Sequence, residues 1–113
     1  MNRFPSVKEN RDFKLVYNKG KSFANKYLVM YVLEKESGES SRIGISVSKK
    51  VGNSVIRHNR CRIIREIFRL NIEKLKGIYD IIVVVRNNAK DISCADMESA
   101  YMHLLRLHGI VVL

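Results

Sequence analysis

The sequence predicts an α+β fold, a two-layer α/β sandwich with its helices on one face of a small sheet. Three observations point to it. YLVMYVLE (Tyr27–Glu34) and YDIIVVVR (Tyr79–Arg86) are apolar runs of strand composition, the second nearly continuous, as in a strand covered on both faces. RIGISVS (Arg42–Ser48) alternates Ile43, Ile45 and Val47 with Gly44, Ser46 and Ser48, the period of a half-buried strand. Three other segments repeat apolar residues at helical spacing between cap residues.

In chain order, Phe13, Val16 and Tyr17 lie at i, i+3 and i+4 on a short first helix. Asn10 reads as its N-cap and Gly20 as the residue just past its end. The strand at 27–34 follows, then a polar turn, ESGESS (Glu36–Ser41), across which the strand at 42–48 is expected to return antiparallel. The Gly44, Ser46, Ser48 face of that strand is small and polar, so a ligand can approach the sheet closely there. Asn53 or Ser54 caps the next helix, which runs to about Asn71, and Gly77 ends the charged tail behind it. After the strand at 79–86, Ser93 with Asp96 resembles a capping box. Met97, Ala100, Tyr101, Leu104, Leu105 and His108 then form one helical stripe, closed by Gly109. The final IVVL is either a short strand or a frayed tail. The expected order is α-β-β-α-β-α.

A chain of 113 residues, 46% of them apolar or aromatic, suits one domain with its own core. One Pro and six Gly leave little room for a disordered linker. No apolar run approaches the roughly 18 residues of a membrane span, and MNRFPSVKEN lacks the apolar stretch of a secretory signal. Cys61 and Cys94 stand in no metal-ligand spacing, and two isolated thiols fit a reducing, cytoplasmic setting.

The net charge is +10, and its distribution is uneven. Residues 1–26 carry seven bases and two acids, residues 27–41 one base and three acids, residues 42–69 eight bases and one acid, and residues 70–113 five of each. So dense a central block repels itself unless a polyanion lies against it, and phosphate neutralisation is the usual use of such density. A solvated basic surface is the plainer alternative.

The centre of that block is KKVGNSVIRHNRCRIIREIFR (Lys49–Arg69). At about 100° per residue, Arg57, Arg62, Arg65 and Arg69 form one cationic stripe, with Ile56, Ile63, Ile67 and Leu70 opposite. Planar, multi-donor guanidinium groups suit phosphate oxygens. Arg60 breaks the pattern by projecting among the isoleucines; either the first turn is irregular or its head snorkels past the apolar face. Ahead of the helix, Gly52 permits positive φ or a close approach of backbone to an anion. The free N–H groups of the helix start favour phosphate there. His58, His103 and His108 have no metal spacing and no evident carboxylate partner. Glu66 pairs with Arg62 or Arg69 on its own helix. No catalytic or metal-ligating residue is assigned.

GISVSKKVGNSV running into R-x-x-R-x-R-x-x-R-E resembles the bacterial ribonuclease P protein family, which carries a Ser-Val-Ser-Lys-Lys-x-Gly-Asn-x-Val segment ahead of an Arg-rich helix. DFKLVYNKGKSFANKYLVMYVL is similar to the family's first helix and strands, IIVVVR to its last strand, and the Tyr101–Leu107 region to its final helix. On this resemblance Lys49, Lys50, Gly52 and Asn53 fall on the family loop. Two registers fit the helix. Without a gap, Arg57, Arg62 and Arg65 fall on family arginines, and Arg60 stands where an aliphatic residue is usual. With a local shift, Asn59-Arg60 supplies the family's Asn-Arg.

The resemblance implies a mixed four-stranded sheet with a left-handed βαβ crossover. It implies one protein bound to one catalytic RNA, contacted through Lys49, Lys50, Gly52, Asn53, Arg57, Asn59, Arg60, Arg62, Arg65 and Arg69. It implies a central cleft for the single-stranded 5′ leader of precursor tRNA, at Phe13, Val16, Tyr17, Tyr31, Ser46 and Ser48. The RNA partner, with bound Mg²⁺, hydrolyses the phosphodiester and leaves a mature 5′ end; the protein alone holds no Mg²⁺ and no membrane is involved. Aromatic rings accept unstacked bases without demanding a sequence. Phe13 and Val16 have a second reading, as the seal between helix and sheet. Three rivals stand beside this one: a ribosomal-type basic RNA-binding module, a protein-only nuclease, and a DNA-binding regulator, the last disfavoured because the basic helix offers no dimer element.

Overall fold

The computed structural model describes residues 6–7, 9–36, 38 and 40–112. Ser37 and Glu39 of the expected turn, Leu113 of the terminal IVVL and most of the first eight residues lie outside them. The order is α1 (Asn10–Lys19), β1 (Lys21–Ala24), β2 (Leu28–Glu34), β3 (Arg42–Val47), α2 (Ser54–Asn71), β4 (Tyr79–Val85) and α3 (Cys94–His108), with 3-10 turns at Ile72–Lys74 and Asn87–Ala89.

The α+β class is as expected; the strand pairing is not. The four strands lie in the order β1-β2-β4-β3. β4 stands between the two strands expected to form a hairpin, antiparallel to β2 and parallel to β3. All of β4 except Val84 is buried, so it takes the centre, where neighbours cover both edges and both faces. Parallel neighbours need a long crossover, and α2 supplies it between β3 and β4. The residue pattern did not mark β1 as a strand, although the family resemblance placed the first strands in the segment that contains it. KSFA is exposed throughout and has no apolar alternation; its pairing with β2 makes it a strand.

The helices also divide between the faces, where one face was expected. α2 and α3 cover Leu28, Met30, Val32, Ile43, Ile81, Val83 and Val85, forming the main core with Ile64, Phe68, Met97, Tyr101 and Leu104. α1 lies on the opposite face, where Tyr17 meets Tyr31 and Phe13 lies over Gly44. Val16 seals the contact, wholly buried. An ion-pair cluster pins α1 and the strand ends together. Arg42 donates to both carboxylate oxygens of buried Asp80, at 2.9 and 2.7 Å, and its other arm lies 3.5 Å from Asp12 on α1. The Asp80 hydrogen bond first, and both carboxylates by charge, hold the Arg42 pKa above its ordinary value.

The caps follow the sequence closely. Asn53 Oδ1 accepts from the Ile56 N–H at 3.0 Å, Ser93 Oγ accepts from the Asp96 N–H at 3.0 Å, and Gly109 turns at φ 70°. The start of α1 differs by one residue. Glu9 is its N-cap, because the Glu9 carbonyl already receives the Asp12 and Phe13 N–H groups, and Asn10 is the first helical residue. Gly20 is required by crowding, since an added Cβ would sit 2.6 Å from the Val16 carbonyl oxygen and 2.8 Å from that of Val32. At the far end Ile110 and Val111 are buried, and Val111 bridges Leu75.

Candidate nucleic-acid interface

α2 is unbroken from Ser54 to Asn71, and its buried residues are Arg60, Ile63, Ile64, Ile67, Phe68 and Asn71. That i, i+3, i+4, i+7 stripe is turned from the expected one toward Ile64 and Phe68, which leaves Leu70 58% exposed. Arg60 occupies a core-facing position on this helix. It is only 8% exposed. Its guanidinium donates to the Ile92 carbonyl at 2.8 Å, the Ala89 carbonyl at 3.3 Å and Asn59 Oδ1 at 2.7 Å, while its Nε is buried without a partner. Arg60 and Asn59 therefore tie α2 to the connection after β4, and Arg60 stands apart from the exposed cationic stripe.

The stripe is carried by Arg62 and Arg65, exposed on the outer face of α2, with half-buried Arg57 a turn or two ahead. Arg69 is also exposed, but its Nε donates to Glu66 Oε2 at 3.0 Å. That bond, more than the charges of Arg69 and Arg62, holds the Glu66 carboxyl below its ordinary pKa. Arg57, His58, Cys61 and Arg65 join Ser54, Ile45 and Val47 around an open groove of about 260 Å³ between α2 and β3. Burial pushes the Cys61 thiol up, against the pull of Arg65 and Arg57, so it is held as a neutral thiol.

Lys49 and Lys50 are exposed in the turn after β3. Gly52 does not take the positive φ that was one of its two expected uses. A Cβ there would lie 2.9 Å from Ile56 Cδ1 and Cγ2. It makes room for the first apolar side chain of α2. Asn53 spends its oxygen on the helix cap.

Of the cleft residues, Tyr17, Tyr31 and Ser46 come together. The two tyrosine rings meet edge to face with centroids 4.7 Å apart, and the Tyr17 phenol lies beside Ser46. Burial, which outweighs the opposing pull of Ser46, holds the Tyr17 pKa above its usual value, so the phenol keeps its proton at neutral pH. Phe13 stands 6.2 Å from Tyr17, half-buried over Gly44, whose missing side chain makes the space. Ser48 is exposed beyond the end of β3. Val16 is buried and presents nothing to a ligand; it holds α1 to the sheet.

The registers show a floor that the sequence did not reveal. Ser22, Tyr31, Ile82 and Gly44 form one row across all four strands, and α1 covers its centre. Two residues along, Ala24, Val29, Val84 and Ser46 form a second row. Ala24 is exposed and the other three are half-buried, so this row is the open half of the cleft. Val29 and Val84 were legible only as core residues, because a cleft floor and a core face share the same period.

Among the described residues no three or more His, Cys, Asp or Glu side chains are grouped so that they could hold a metal ion. No described helix is long and apolar enough to cross a membrane.

The ribonuclease P family matches residues 1–108 of the chain. The ribonuclease P protein component of Lachnoclostridium phytofermentans is 51% identical over 106 residues, covering 94% of this chain and 90% of that protein. The structure of the Staphylococcus aureus RNase P protein matches with a TM-score of 0.88 at 36% identity, over 96% of this chain and 99% of that one. A mutant of that protein, described as defective in mRNA degradation activity, matches with a TM-score of 0.86 at 37% identity, over 93% and 88%.

Proposed function

The chain belongs to the ribonuclease P protein family, and we propose that it serves as the protein component of a ribonuclease P, holding RNA while the RNA partner cuts. One protein binds one catalytic RNA, in the cytoplasm. Arg57, Arg62 and Arg65, with Lys49 and Lys50, lie along the phosphates of that RNA. Tyr17, Tyr31, Phe13 and Ser46 receive unstacked bases of the 5′ leader of precursor tRNA. Stacking of about 1–3 kcal/mol per base then favours the precursor over the mature product. Mg²⁺ is held by the RNA partner, where it supplies an activated water for phosphodiester hydrolysis.

The observation that carries this reading is the pairing of an exposed Arg face with an aromatic cleft, on a chain whose family match runs almost end to end. The ribosomal-type alternative explains the Arg face but gives no use for the cleft. The test is reconstitution with the cognate catalytic RNA at low Mg²⁺, scoring removal of the 5′ leader. Leader removal is expected only when RNA and chain are combined. Cleavage by the chain alone would move the active centre into the protein, and no effect of the chain would favour the ribosomal-type module.

A further inference from the structure

A groove of about 240 Å³ runs between α2 and the first turn of α3, away from the α1 cleft. Buried Ile63 and Ile67 form its floor, and exposed Leu70 and Cys94 stand at its walls. A single exposed leucine is ordinary on a protein surface. Leu70, 58% exposed, instead extends an apolar recess whose base is the α2 core stripe. The polar members of the lining are Arg62, Glu66 and Glu98.

These three decide what fits. Arg62 borders the groove and also belongs to the exposed stripe with Arg65, so a polyanion lying on that stripe passes the groove's mouth. The groove itself repels phosphate. The Arg69 hydrogen bond, and then the charges of Arg69 and Arg62, keep the Glu66 carboxyl ionised. Glu98 is held in place by the Asn71 amide, which donates to its Oε2 at 3.0 Å. An ionised carboxylate only accepts hydrogen bonds. The matching ligand has an apolar face, donors on its edge, and phosphates on either side of it. An unstacked nucleobase has all three.

We propose that the α2–α3 groove receives one unstacked base of the catalytic RNA, a base with an exocyclic amino group. Its ring lies on Ile63, Ile67 and Leu70, its amino group donates to Glu66 or Glu98, and its flanking phosphates lie on Arg62 and Arg65. Adenine, cytosine and guanine carry such a group and uracil does not. The inference rests on the function proposed above and deepens it. The stripe supplies affinity that is indifferent to sequence, and the groove selects one place on the RNA.

The test uses the full chain and its cognate catalytic RNA. Leu70→Ala is expected to weaken binding about fivefold, the weight of part of one apolar side chain. The log–log salt slope should keep its wild-type value, because no phosphate contact is lost, whereas loss of Arg62 or Arg65 flattens it. Cys94→Trp fills the groove from its exposed wall and should weaken binding in the same way, while Leu70→Met should restore it. Probing with dimethyl sulfate for adenine and cytosine, and with a carbodiimide for guanine and uracil, should find one amino-bearing base that the wild-type chain protects. Leu70→Ala and Cys94→Trp should expose that base and leave the backbone protections in place. Full affinity in either variant, a flattened slope, or a responding uracil would overturn the groove while leaving the proposed function standing. So would a Leu70→Ala chain that changes its own oligomeric state at unchanged RNA affinity, since the groove would then be a contact between copies. A wild-type chain that does not bind the catalytic RNA would overturn both.

Discussion

Tyr17 on α1 meets Tyr31 on β2 edge to face, with ring planes at 84° and centroids 4.7 Å apart. The contact fixes Tyr17, 38% exposed, at the border of the open row, with its hydroxyl beside Ser46. Tyr17→Ala is expected to weaken holoenzyme binding of leader-bearing tRNA by about 1–3 kcal/mol, the scale of one base stacked on one ring. Mature tRNA should bind as before. Tyr17→Phe keeps the ring and should lose much less. Equal losses for both tRNAs would place the leader elsewhere.

The outer face of α2 makes a separate prediction. Arg62 and Arg65 are exposed, so replacing both with Ala should change stability by less than about 0.5 kcal/mol each. Affinity for the catalytic RNA should fall, and its salt slope should flatten by about 1.4–1.8, at about 0.7–0.9 per phosphate contact. A salt series on the purified pair checks this; an unchanged slope counts against the stripe.

Arg60 should behave in the opposite way. Arg60→Ala removes a packed stem and leaves the Ile92 and Ala89 carbonyls and the Asn59 oxygen without their donor. A loss of about 2–4 kcal/mol is expected in urea denaturation. The folded variant should keep the wild-type salt slope for catalytic RNA. Full stability with a reduced slope would return Arg60 to the interface.

His108 gives a pH dependence. Its Nε2–H donates to the Met30 carbonyl at 3.0 Å, and its ring meets Phe23 edge to face. Burial first, and then Lys21, hold its pKa below the ordinary 6.5, although the Met30 carbonyl works the other way. Lys19, Glu34 and Tyr79 line the same groove. The unfolded chain therefore takes up a proton at higher pH than the folded one. The stability tied to neutral His108 is complete above about pH 6.5 and is lost as pH falls through the depressed folded value. Urea midpoints at about pH 8 and about pH 5 should differ more for wild type than for His108→Gln; an equal difference would assign the effect to other groups.

These residues also show what the sequence could and could not tell. The α2 caps, the α3 stripe and the buried β4 were legible because each is a local pattern answered by local geometry. The β2–β3 hairpin was misread because turn chemistry reports adjacency along the chain, whereas burial of β4 on both faces decided the sheet order. The helical period placed Arg60 among the isoleucines, although the family resemblance counted it with the RNA contacts; its partners are backbone carbonyls 29 and 32 residues away, and no periodicity encodes them.

The central claim is that the polypeptide grips the leader and leaves the cutting to RNA. The most direct measurement is the ratio of dissociation constants for mature and leader-bearing tRNA, taken with the catalytic RNA alone and again with the chain added. The account predicts that the chain raises this ratio, and that Tyr17→Ala returns it toward the RNA-alone value. A ratio that the chain does not change would contradict it.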